Sequence, residues 1–332
     1  MSSKMNKLAA LFQSLEPLSS DAEGTAAFFG CPIGRLPHHL AKDSQGRPVV
    51  LLAVGDVKER PPTTSLQNLR VEHDVQCRIS RMNGADVVGA FSLVHCLSQD
   101  AAVQEYYLQT MESILGLLPQ LPSARQVSDA IDRLAVLFLA FQNPPTKTIR
   151  GLWSELFIIV HSHDPHTLVH AWRNEMTERF DFGLGHDRLE VKSSADRTRR
   201  HHFSYAQVYP AAGVQVVIAS IFLEQAANGR SLGSLWDDAR TLVGDDPELR
   251  LKIDQICVEA LGSTWQEARQ CSYDEHLAVE SLCLFDVSEI PKVGPDHPVE
   301  VSDVRFRSDL SRCTPLSRKA GANRLLNAYF GS

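Results

Sequence analysis

Long apolar runs are missing from this chain: the richest stretches, around Val160 and Val217, are too short to cross a bilayer. Met1 to Leu11 carries two lysines and a brief apolar stretch but no signal-peptide core or cleavage site, which points to a cytoplasmic protein with no membrane partner. Paired cysteines are missing as well. Cys31, Cys77, Cys96, Cys257, Cys271, Cys283 and Cys313 never form a C-x-x-C, and an odd count without that spacing argues against a zinc ribbon and against a disulfide scaffold. Reduced, mostly buried thiols are expected. Internal repeats and low-complexity segments are absent. Positive charge is in deficit, with 33 Lys and Arg against 40 Asp and Glu, a net −7. Bulk electrostatics therefore do not favour a polyanionic partner, and any phosphate contact must come from a local basic patch.

What is present is ordinary for a globular protein: 43% hydrophobic and 22% charged residues over 332 positions. That length suggests two domains, or one enzyme domain with additions. The chain to Phe141 reads as mixed α/β. Strand candidates are Pro48 to Val54, Leu69 to Ile79 and Asp86 to Leu93, followed by helices over Ala101–Leu118 and Arg125–Phe141. Asn143-Pro144-Pro145 marks the clearest boundary, because two prolines cannot continue a helix. Beyond it the pattern predicts helices over Ile149–His161 and Thr167–Met176, a hairpin over Arg179–Ser194 and a helix starting at Ser204. A buried strand over Val214–Phe222 and several amphipathic helices follow, then strands at Ser281–Val287 and Val299–Phe306. The fold class is α/β. The expected domains are 1–143 (target or partner binding), a core over 146–225, and a helical and strand extension over 226–332 packed on that core.

The hairpin carries the chemistry. Gly185-His186 suits a two-residue type II′ turn, which makes cross-strand partners sum to 371 and sets Asp181 opposite Glu190 and Arg179 opposite Lys192. Phe180, Phe182, Leu189 and Val191 then occupy the other face, and a one-residue slip would oppose Phe to Glu. Opposed Cβ atoms lie about 5 Å apart, so the two carboxylates repel unless a positive group sits between them. Hard oxygen ligands of this kind suit Mg²⁺. Lys192, two residues after Glu190, emerges on the same face, where it can orient an attacking water or steady a phosphate.

With this D-x8-E-x-K arrangement, the chain resembles the PD-(D/E)XK nuclease superfamily (restriction-endonuclease-like), and within it a bacterial branch. Phe180-Asp181-Phe182 and Leu189-Glu190-Val191-Lys192 match the motif core, and Glu155 in Gly151-Leu152-Trp153-Ser154-Glu155-Leu156 matches the helix acid. Arg199-x-His201-x-Phe203-Ser204-x-x-Gln207 and the stretches Leu282–Val287 and Val304–Leu310 extend the likeness over Gly151 to Leu310. Phe180 stands where the motif has proline. Gln207 is followed four later by Ala211 rather than tyrosine, so the exonuclease signature is absent. The resemblance implies a core of mixed central sheet flanked by helices, with Mg²⁺ or Mn²⁺ held by Asp181, Glu190, the Val191 carbonyl and Glu155. It also implies hydrolysis of DNA in a bacterial restriction or phage-defence system, with ATPase or methylase partners. A homodimer would suit duplex cleavage.

Arg197, Arg199, Arg200, His201 and His202 form the dense basic cluster and, with Gln207, are the candidates for nucleic-acid contact. Asp187, at the turn, is expected to stabilise the loop. One alternative is a non-catalytic DNA-binding or assembly subunit that keeps the hairpin as scaffold. Another is a histidine metallohydrolase using His166 and His170, one helical turn apart and near His161 and His163. That segment lacks the acid of an H-E-x-x-H motif, and Asp164-Pro165 interrupts it as an ordinary turn would.

Overall fold

Residues 7–15, 26–55, 61–81, 85–173, 179–294, 298, 300–317 and 323–331 are described by a computed structural model. They fall into two units, residues 1–143 with 246–254, and residues 144–245 with 255–332. The fold is mixed α/β.

The first unit opens with α1 (Lys7–Gln13) and continues through β1 (Ala26–Pro32), β2 (His39–Lys42), β3 (Pro48–Ala53), β4 (Thr64–Ser65), β5 (Leu69–Ser80) and β6 (Val87–Cys96). Helices α2 (Ala101–Leu117) and α3 (Ala124–Ala140) follow. Strand β1 pairs antiparallel with β2 and parallel with β5, so β1-β2-β3-β6-β5 closes into a barrel, with β4 appended to β5. Phe28, Val49, Leu51, Cys77, Ile79, Phe91 and Leu93 fill its interior. Val50 and Leu52, on the alternate positions, are also fully buried. The Tyr107 hydroxyl of α2 donates to the Val94 carbonyl at 2.6 Å on that outer side. A strand buried on both faces loses its alternation, which is why Pro48–Ala53 reads as one apolar run. Gly30 permits the closure: a Cβ there would lie 3.1 Å from both Ile79 Cγ2 and the Leu40 carbonyl. Strands β1 and β2 escaped the sequence reading because their alanine, glycine and histidine residues carry little β signal.

The second unit begins with α4 (Ile149–Val160) and α5 (Pro165–Ala171), then β7 (Phe182–Leu184), β8 (Asp187–Ser194), β9 (Arg200–Ser204) and the one-turn α6 (Tyr205–Val208). Next come β10 (Gln215–Phe222), β11 (Gln225–Ser231), α7 (Leu232–Leu242), α8 (Pro247–Leu261) and α9 (Trp265–Gln270). Then follow β12 (Ser272–Tyr273), α10 (Glu275–Ser281), β13 (Cys283–Asp286), β14 (Arg305–Asp309) and α11 (Arg324–Phe330). The residues of α8 through Asp254 group with the first unit.

The central sheet runs β13-β10-β8-β7, with β8 and β10 parallel and both outer pairings antiparallel. Helix α4, started by the Thr148 cap, packs against β8 and α7 through Leu152, Trp153, Leu156 and Phe157, all fully buried. A second core of Phe203, Val216, Ile218, Phe285 and Leu310 is built from β9, β10, β13 and the segment after β14.

Several expectations change. The basic stretch after β8 is a strand, β9, paired antiparallel with β14, so Arg307 lies opposite His202 and Asp309 opposite Arg200. The expected strand over Val299–Phe306 lies at Arg305–Asp309, and Val299 falls outside the described residues. Helix α5 stops at Ala171, and the end expected at Met176 lies outside the described residues. No disulfide joins any of the seven cysteines; Cys77, Cys96 and Cys257 are buried but the other four only partly so. Among the described residues no helix is long and apolar enough to cross a membrane.

Candidate functional site

The hairpin has the expected register: Phe182 faces Leu189 and Leu184 faces Asp187. Gly185 turns the chain at φ +61. Such an angle strains any side chain with a Cβ and suits glycine. Phe182 and Leu189 are buried, and Phe182 stacks on Trp172 at 6.4 Å. The first strand is shorter than expected, because Asp181 lies just outside it. Its carbonyl accepts from the Arg173 amide at 3.0 Å, and its Oδ2 accepts from the Val191 amide at 2.8 Å. Asp181 is therefore clamped to the backbone beside Glu190 rather than paired with it across the ladder, and Arg179 has no strand partner in Lys192.

Glu190 and Lys192 project from one face of β8, level with Ile218 and Ser220 of β10. Glu190 is 5% exposed. Its Oε1 accepts from Lys192 Nζ at 2.6 Å and from Gln207 Nε2 at 2.7 Å. Gln207 is placed by its own backbone work: its Oε1 accepts from the Ser204 amide at 3.1 Å, closing a capping box at the start of α6. Lys192 Nζ also lies over the Phe203 ring, 5.5 Å from its centre.

Glu155 reaches the site from α4 and is buried. Its Oε2 accepts from the Trp172 indole at 2.7 Å, and both its oxygens accept from Lys147 Nζ at 2.6 Å. Lys147 Nζ is also 4.0 Å from Asp181 Oδ1, and an Arg173 guanidinium nitrogen is 3.9 Å from the same atom. Neither residue was singled out from the sequence. A lysine just before the cap of the Glu155 helix was the available signal, but nothing local says which way it points.

Burial, and then the neighbouring Asp181 carboxylate, push both Glu155 and Glu190 up to about 7; Lys147 and Lys192 act in the opposite sense. Buried carboxylates that repel one another are the donor set a hard divalent cation relieves. Among the described residues no three His, Cys, Asp or Glu side chains converge as a ready ligand set. The oxygen donors fit Mg²⁺ or Mn²⁺ by chemistry, while ammonium groups hold them in this arrangement.

The basic cluster divides. Arg199 donates to the Ser220 carbonyl at 2.9 Å, to Ser220 Oγ at 2.8 Å and to the Ser281 carbonyl at 2.5 Å. Its guanidinium also lies over the Phe222 and Phe285 rings. His201 is buried, with Nε2 2.8 Å from Ser220 Oγ, and burial followed by the Lys192 and Arg199 charges holds its pKa down to about 4. These two face inward, since alternate strand residues point to opposite sides. Arg197 pairs with Glu224. Arg200 and His202 remain exposed, on the face that also carries the exposed Arg305 and Arg307.

His166 and His170 are exposed, and Asp164 caps α5 through the Thr167 amide at 3.0 Å; among the described residues they join no third metal ligand. Asp187 is buried and accepts from the Arg324 amide at 2.8 Å, which ties the start of α11 to the sheet.

No curated protein and no solved structure matches this chain. The model of one family, described as "Putative PD-(D/E)XK family member (DUF4420)", matches residues 9–311, which include the barrel, the carboxylate site and both strands of the basic ribbon. The chain belongs to that family.

Proposed function

We propose that this protein is a divalent-metal-dependent nuclease that hydrolyses DNA phosphodiester bonds, with a restriction-endonuclease-like core formed by β13-β10-β8-β7 and α4. The observation that carries the reading is three buried carboxylates, Glu155, Asp181 and Glu190, in one charged neighbourhood: Lys147 bonds Glu155 at 2.6 Å and lies 4.0 Å from Asp181, and Lys192 bonds Glu190 at 2.6 Å. Asp181, Glu190, Glu155 and the Val191 carbonyl would hold Mg²⁺ or Mn²⁺. The cation would supply positive charge to the phosphate and make water a better nucleophile at neutral pH.

The chain's own groups do the rest. The Val191 amide fixes Asp181, and Gln207 fixes Glu190. Lys192, 20% exposed at its side chain, can turn its ammonium from Glu190 to an incoming phosphate oxygen or attacking water. The exposed face of the β9–β14 ribbon, with Arg200, His202, Arg305 and Arg307, would hold the DNA backbone. A place in a bacterial restriction or defence system, with ATPase or methylase partners and a homodimer for duplex cutting, extends the same reading by resemblance.

Asp181→Ala and Lys192→Ala should each abolish Mg²⁺-dependent cleavage in a screen of single- and double-stranded DNA and RNA, while each variant still melts in one cooperative transition. Full cleavage by either variant would end the assignment. A wild-type chain that binds DNA but neither Mg²⁺ nor Mn²⁺ would favour a non-catalytic subunit.

A further inference from the structure

We propose that Lys147 is the resident counter-ion of the carboxylate site, holding Glu155 and Asp181 when no metal is bound and opposing divalent binding until it is displaced. This rests on the metal-dependent reading above and names the residue that sets the cation affinity of the site.

Lys147 Nζ stands 2.6 Å from each oxygen of Glu155 and 4.0 Å from Asp181 Oδ1, and its side chain is 16% exposed. The backbone that carries it is pinned. The Thr146 and Lys147 amides both donate to the Ala260 carbonyl, at 2.9 and 3.2 Å, and Thr146 Oγ1 donates to the Glu259 carbonyl at 3.0 Å. Thr148, the next residue, caps α4 by accepting from the Gly151 amide at 3.1 Å. The ammonium is thus delivered by a fixed stretch of chain onto two candidate ligands.

Each of the three carboxylates already has a cation beside it. Lys192 serves Glu190 and Lys147 serves Glu155, while Asp181 lies within 4.0 Å of both Lys147 and Arg173. A divalent cation sharing the Glu155 and Asp181 oxygens would meet the ammonium at close range in a site largely closed to water, where like charges are poorly screened. Lys147 has a flexible four-carbon stem, so it can swing away while its backbone stays fixed. The cation must overcome the loss of the lysine's bonds to Glu155, and its affinity is lowered accordingly.

The test uses the full chain with Mn²⁺ as probe, measured by isothermal titration calorimetry and by the electron paramagnetic resonance signal of free Mn²⁺. Lys147→Met keeps the apolar stem and removes the charge; Lys147→Gln is a second uncharged variant, and melting curves verify that each folds. Mn²⁺ should bind both variants about tenfold or more tightly than wild type. Lys147→Arg, which keeps the charge, should stay near the wild-type affinity. Asp181→Asn added to Lys147→Met should remove the gain.

Equal or weaker Mn²⁺ binding by the uncharged variants would overturn the counter-ion role while leaving the metal reading standing. Tight binding that survives Asp181→Asn would place the ion elsewhere and overturn the inference. If no protein in the series binds Mn²⁺, the metal reading falls and the inference with it.

Discussion

Replacing Glu190 by glutamine should stabilise the metal-free protein at alkaline pH and weaken it as a metal binder. The Glu190 carboxyl is 5% exposed, and burial plus the Asp181 carboxylate lift its pKa from the ordinary 4.5 to about 7. A displacement of that size corresponds to about 3 kcal/mol by which ionisation opposes folding. The sign follows from a folded-state value above the unfolded one. The stabilisation from the protonated carboxyl is complete below the unfolded value of 4.5 and is lost as pH rises through about 7. Glutamine cannot ionise. It also keeps the oxygen that matters locally, because Gln207 and Lys192 both donate to Oε1.

Asp181 and Glu155 share the same field, so removing one charge recovers part of the figure, about 1–3 kcal/mol. At roughly 2–4 °C per kcal/mol for a unit of this size, Glu190→Gln should melt about 2–12 °C above wild type at pH 8 in EDTA. Near pH 4 the two should melt within about a degree of one another, because the carboxyl is then largely protonated in both the folded and the unfolded protein. Differential scanning calorimetry at the two pH values reads the difference directly. Excess Mn²⁺ at pH 8 should narrow or reverse it, since a ligand stabilises the form that binds it. Equal melting at pH 8 in EDTA, or a variant less stable than wild type there, would refute the electrostatic account of the site.

The two arginines of the basic region should separate stability from binding. Arg199→Ala removes donors to two buried carbonyls and to Ser220 Oγ, together with the stacking on Phe222 and Phe285. It should cost about 3 kcal/mol in urea unfolding. Arg307→Ala, on the exposed ribbon face, should leave unfolding within about 0.5 kcal/mol of wild type but weaken DNA binding and lower the salt slope by about 1. A folded Arg199→Ala protein of unchanged stability would contradict the first; unchanged DNA affinity in Arg307→Ala would contradict the second.

Local pattern settled much of this protein. Helices α2 and α3 were legible from 3.6-residue spacing, and their Asp100 and Ser123 caps supply the start signals. The pairing of Phe182 with Leu189 was legible too, because a slip by one residue would expose every apolar side chain of the hairpin. That same alternation placed Glu190 and Lys192 on one face.

Only the tertiary structure decided the rest. Whether Arg199 or Arg200 meets solvent depends on β14 and the aromatic residues of β10 and β13, which lie far along the chain from the basic run. Closure of the barrel depends on the parallel pairing of β1 with β5, a contact with no short-range signature. Asp181 leaves the ladder because the Arg173 amide takes its carbonyl and the Val191 amide takes its carboxylate. Lys147 enters the site through backbone bonds to Ala260, which hold it on carboxylates supplied by a helix and by the hairpin. Periodicity tells which side of an element a residue occupies; which partner waits on that side is set by the packing of distant segments.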